Sequence, residues 1–175
     1  MQKPNLDRLW QIKIYLEAST SRQDFFKQAI TKIKSQVTRL VSVLEKDDKM
    51  IDWYYFLIHA DPQLYFDFVV SLKIGITEEA LKNLLRQLTY CSTPEKLPPS
   101  WGETISKVTR AQLIDDDIEE AWRLVGQQSE WLINLVNTYK NDALTIEQFT
   151  QFMHFFTNPV GLGMISHMPI EAYQF

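Results

Sequence analysis

The side chains best spaced for chemistry are an imidazole and an amide. His154 and Asn158 stand four residues apart in Phe152-Met153-His154-Phe155-Phe156-Thr157-Asn158, a spacing that places both on one face of a helix. An imidazole flanked by methionine and phenylalanine is partly desolvated, which lowers its pKa and favours a neutral general base. The same surroundings suit a histidine that only satisfies a buried polar partner. The other titratable groups are scattered. His59, His154 and His167 form no His-Glu-x-x-His pair, and Cys91 is the single cysteine, so a cysteine-based zinc cluster and an intrachain disulfide are both excluded. The acidic run Asp115-Asp116-Asp117-Ile118-Glu119-Glu120 lacks the glycine and regular oxygen ligands of a calcium loop and reads as carboxylates at a helix start. No glycine-rich phosphate loop is present. Neither a metal nor a cofactor is expected.

The elements that must position these groups follow from periodicity. Trp10, Ile12, Ile14 and Leu16 alternate with Gln11, Lys13, Tyr15 and Glu17, the period-2 pattern of a half-buried strand. Ser21 stands at capping distance from Asp24, and Phe26, Ile30, Ile33, Val37, Val41 and Leu44 make one long amphipathic helix ending at Glu45-Lys46-Asp47-Asp48. From residue 53 to 59 both faces are apolar or aromatic, which predicts a central strand covered on both sides or one buried by a partner. Asp61-Pro62 supplies a turn, and the strand after it puts Phe66, Phe68, Val70 and Leu72 on one face with Tyr65, Asp67, Val69, Ser71 and Lys73 on the other. Gly75 ends that strand. Thr77 caps a helix whose buried stripe is Ala80, Leu81, Leu84, Leu85 and Leu88.

The resulting order, β-α-β-β-α, is most of a split βαβ, ferredoxin-like unit in an α+β fold, with helices on one face of an antiparallel sheet. Residues 1–90 form this part. Residues 91–103, with Pro94, Pro98 and Pro99, read as a loop or hinge, and residues 104–175 as a helical half marked by Ile118, Trp122, Val125, Leu132, Val136 and Tyr139 and then by Ile146, Phe149, Phe152, Met153 and Phe156. At 175 residues and 45% hydrophobic content, one domain with one substantial core is expected.

Composition bounds the partners. Residues 1–50 carry ten basic against six acidic side chains and residues 51–175 eight against sixteen, +4 and −8, which suits docking within the chain or between subunits of a homo- or hetero-oligomer. Aromatic residues on such a sheet are how RNA-recognition modules stack bases. With a net charge of −4, no basic residue between Trp53, Tyr54, Tyr55 and Phe56, and no Lys/Arg-Gly-Phe signature, nucleic acid is not an expected partner. No run approaches the ~18 apolar residues of a membrane span and the N-terminus lacks an apolar signal core, so a cytoplasmic protein without membrane association is expected.

The tryptophan-led strand Trp10-Gln11-Ile12-Lys13-Ile14-Tyr15, the long helix, Trp53-Tyr54-Tyr55-Phe56-Leu57-Ile58-His59-Ala60-Asp61-Pro62 and the late histidine-and-asparagine helix together resemble the small, elimination domain of lantibiotic dehydratases and the thiopeptide-type bacteriocin biosynthesis proteins. That resemblance implies tailoring of a ribosomally made peptide by elimination or cyclisation, with His154 as base, Asn158 positioning it, and His59 or Asp67 in support. Elimination also needs a cation for the departing carboxylate. Here Ile58-His59 stands where the family has Arg-Tyr, and Leu64-Tyr65-Phe66-Asp67-Phe68 replaces its basic strand. The alternative is a noncatalytic peptide- or protein-binding module on the same scaffold, with Trp53, Tyr55 and Tyr65 as contact residues and a sheet edge accepting an extended peptide.

Overall fold

The computed structural model describes residues 4–18, 22–46, 50–59, 65–101 and 118–138. Strands β1 (Leu9–Tyr15), β2 (Ile51–His59), β3 (Tyr65–Leu72) and the two-residue β4 (Glu95–Lys96) form one antiparallel sheet in the order β2-β3-β1-β4. The fold is α+β, and the expected β-α-β-β-α order is present. β3 lies between β1 and β2, in register from Leu9↔Ser71 to Tyr15↔Tyr65 on one side and from Trp53↔Ser71 to His59↔Tyr65 on the other.

Alternation along the strands sorts the side chains into two faces. Trp10, Ile12, Ile14, Ile51, Tyr54, Phe66, Phe68, Val70 and Leu72 form one face and pack in the main core with Ile30, Ile33, Val37, Leu40 and Leu44. Those partners come from α1 (Arg22–Lys32), a π-helical turn (Ile33–Val37) and α2 (Thr38–Glu45). The expected single helix therefore carries one wide turn. Thr38 closes it, donating both its backbone N–H and its hydroxyl to the Ile33 carbonyl. α3 (Glu78–Leu85) adds Leu81 and Leu85 to the same core, and Thr77 caps it by accepting from the Ala80 N–H at 3.2 Å, as its sequence position requires. Gly75, at φ +93°, takes the left-handed conformation that lets the chain leave β3.

Two expectations are corrected. Among the described residues β2 is an edge strand of the sheet, not a central one. It reads as buried on both faces because α4 (Ile118–Thr138), about 31 Å long at 1.5 Å per residue, passes around its outer side. Near one end Trp122 packs with Leu9, Trp53, Tyr55, Val69 and Leu97 on the second face; toward the other, Leu132, Ile133 and Val136 join the main core. Between them, among the positions whose burial is described, the small residues Gly126 and Ser129 are buried. A helix laid over an edge is one of the ways proteins blunt unpaired strand backbone. Secondly, the proline-containing connector is not wholly irregular. The Ser92 N–H donates to the Lys13 carbonyl at 2.8 Å, the Leu97 N–H to the Leu9 carbonyl at 3.0 Å, and β4 pairs with Trp10 and Gln11. Prolines 94, 98 and 99 flank this pairing, where no ladder N–H is demanded of them.

Candidate functional site

The second face of the sheet has a dry end and a polar end. At the dry end Trp53 is fully buried; its indole N–H donates to the Trp122 carbonyl at 2.8 Å and its ring meets that of Trp122 edge-on, with centroids 5.4 Å apart. Tyr55 is buried beneath Trp101, stacked at 5.9 Å. Burial and the charge of Asp67 hold the Tyr55 phenol well above its usual range. The expectation that Trp53 and Tyr55 present rings to a peptide is thus corrected, because α4 and the residues after β4 already cover them.

The polar end is built by the outward set of β1 against β3. Tyr15 faces Tyr65 across the ladder, their rings edge-to-face at 6.0 Å, and Tyr15 remains 47% exposed. Lys13 lies opposite Asp67; its Nζ sits 5.6 Å from the Tyr65 ring centroid and 3.5 Å from Glu95 Oε2. The Gln11 amide donates to Asp67 Oδ2 at 3.0 Å, and Asp67 is buried. Partial burial raises the Tyr65 phenol, and the carboxylates of Asp67 and Glu95 push the same way, so it stays protonated. His59 pairs with Tyr65 in the β2–β3 register, and Leu57 pairs with Asp67.

Of the residues singled out from sequence, the structure brings Tyr65, Asp67 and the His59 backbone position together at one end of the sheet. His154 and Asn158 lie outside the described residues, as do Asp61-Pro62 and the acidic residues 115–117. Sequence reasoning missed Gln11, Lys13, Tyr15 and Glu95. The first three were visible as the polar half of the β1 alternation; Glu95 joins them only through the pairing of β4 with β1. No protein-family model matches the chain, and no curated protein matches it significantly.

Chemically, the polar end offers matched groups in place of a reactive one. Its cation is paired with Glu95 across the strands, its phenol is held neutral, and its buried carboxylate is engaged by an amide. An elimination site would need an unmatched cation beside the leaving carboxylate. What the arrangement can do is hold: an amphipathic ring pair with charges of both signs at its margin suits the side chains of an extended segment. Among the described residues no strand pairs with the outer side of β2, and β2 and β3 both lie between that edge and Tyr15, so the platform is reached from the face of the sheet.

Proposed function

We propose that the chain is a noncatalytic peptide- or protein-binding module. An extended segment crosses the polar end of the sheet and lays its side chains on the Tyr15–Tyr65 pair beside Lys13, Glu95 and Asp67. The observation that carries this reading is the accessible, charge-matched aromatic platform at the hairpin end of the sheet. Burial of apolar side chains against the ring pair would supply affinity, and the flanking charges selectivity.

Tailoring of a ribosomally made peptide is the second reading. It is supported by the spacing of His154 and Asn158 and by the motifs shared with the dehydratase elimination domain. Against it stands Asp67, a buried carboxylate where that family has a basic strand and needs a cation. The two readings divide on His154. Calorimetry with a leader-bearing precursor peptide, together with mass spectrometry of that peptide after incubation, tests them in one variant. The binding reading expects His154→Gln to leave affinity within about threefold, under 1 kcal/mol, and the mass of the peptide unchanged in both proteins. Loss of water or of an activated side-chain group with the parent protein, abolished in His154→Gln, establishes the tailoring reading instead.

A further inference from the structure

Lys13 holds the cationic place of the platform loosely. Its Nζ stands 5.6 Å from the Tyr65 ring centroid, within cation–π range, and 3.5 Å from Glu95 Oε2, long for a charge-assisted bond. The Lys13 side chain is 22% exposed, so its stem lies against the sheet, whereas Glu95 is 64% exposed. Pairs with so open a member hold weakly. The neighbouring ammonium is committed elsewhere, since Lys32 Nζ donates to the Tyr15 carbonyl at 2.9 Å. The platform thus sets one ammonium against two carboxylates, Glu95 and the buried Asp67, and the faces of Tyr15 and Tyr65 add the negative side of their quadrupoles. Burial first, and then the charges of Asp67 and of Glu95, raise the Tyr65 phenol, in keeping with a negative potential at this ring.

We infer that the segment bound here carries an arginine, whose guanidinium lies on the Tyr15–Tyr65 pair and takes Glu95 from Lys13. This selectivity rests on the binding reading above and adds the side chain that the platform chooses. A planar guanidinium stacks on an aromatic face and forks a carboxylate at the same time, which an ammonium does not. Tyr15, 47% exposed, supplies the open ring. Lys13 already demonstrates that a cation fits between ring and carboxylate at this end of the sheet, and it is thereby the chain's own competitor for the place. An acidic side chain of the partner would have to break the Lys13–Glu95 pair and then lie beside like charges, which costs affinity. Lys13 therefore sets selectivity: it admits a better cation and excludes weaker ones.

Three acetylated, amidated pentapeptides serve as probes, alike except for a central arginine, citrulline or glutamate between valines. Binding to the full chain is read from the Gln11 side-chain amide, which donates to Asp67, in ¹H–¹⁵N spectra. The arginine peptide is expected to saturate about tenfold more tightly than its neutral citrulline counterpart, and the glutamate peptide to be the weakest of the three. Glu95→Gln removes an exposed carboxylate and is expected to cancel the preference for arginine while leaving the affinity for citrulline unchanged. Lys13→Met keeps the stem and removes the competitor, so the affinity for the arginine peptide is expected to rise about threefold or more, whereas loss of a merely structural lysine would lower it. Equal affinity for arginine and citrulline, tighter binding of the glutamate peptide, or weakening by Lys13→Met overturns the assignment of arginine; if that binding is still saturable and is abolished in Tyr65→Ala, the platform itself stands. Lack of saturation by all three peptides at ~10 mM, the weak limit of specific recognition, overturns both.

Discussion

Arg8 shows how one side chain can close a fold that its sequence position does not advertise. Its guanidinium donates to three backbone carbonyls, those of Leu72 at 2.9 Å and of Lys73 and Ile76 at 2.6 Å each, and so ties the start of β1 to the turn that leaves β3. Charge-assisted bonds to carbonyls of this kind are individually worth more than neutral ones, and removing the donor leaves the acceptors to be resolvated in a half-buried place. Arg8→Met keeps the aliphatic stem and removes the fork. It is expected to lower unfolding free energy by about 2–3 kcal/mol in urea denaturation with an unchanged slope. A loss under about 0.5 kcal/mol would place Arg8 with ordinary surface charges. In the sequence Arg8 is one more basic residue before a strand; its role needs partners 64 to 68 residues away. The same applies to Lys13, whose strand was evident from alternation but whose pairing with Glu95 depends on where the connector lies.

At the scale of elements, β2 carries the clearest lesson. Its run of aromatic residues was legible as a doubly covered strand, and both faces are covered. Its place at the sheet edge was not legible, because periodicity reports burial and says nothing of which element does the covering. The agent is α4, whose stripe carries Trp122, Leu132 and Val136; its Gly126 and Ser129, residues that a hydrophobic pattern omits, are buried as well. Likewise the π-helical turn in the first helix sits inside an apolar stripe that a 3.6-residue period fits well enough. The covered state of β2 has a titration signature. Burial raises the phenols of Tyr54 and Tyr55 above their usual value near 10. The unfolded chain therefore releases these protons first as pH rises, so the stabilisation is fully present below pH ~10 and is lost as the pH climbs toward the folded-state values. Cys91, whose thiol burial pushes up to about 12, acts in the same direction from pH ~9 upward. Urea midpoints measured from pH 8 to pH 11 are expected to fall steadily above pH 10, at up to about 2.7 kcal/mol per pH unit from the two tyrosines, and Tyr55→Phe should remove about half of that slope. A flat profile to pH 11 would mean that α4 does not hold these rings out of water.

For the molecule as a whole, one sheet separates two unlike surfaces. One side carries the helices, with a groove between α2 and α4 lined by Glu45, Lys46 and Glu130; the other carries a dry tryptophan cluster that grades into the tyrosine platform at the hairpin end. The class of the fold could be read from the order of patterns. The candidate site is legible only in part: Tyr65 and Asp67 stand out by type, and the fold places Gln11, Lys13, Tyr15 and Glu95 around them through register. No helix among the described residues is long and apolar enough to cross a membrane.

The central claim is that an extended segment docks across the polar end of the sheet over the Tyr15–Tyr65 pair. Hydrogen exchange of the full chain with and without a saturating leader-bearing precursor peptide tests it most directly. Slowed exchange of about tenfold or more, concentrated in residues 13–15 and 65–67 and abolished in Tyr65→Ala, is the expected result. Protection confined to other elements, or protection that Tyr65→Ala leaves intact, would contradict the account.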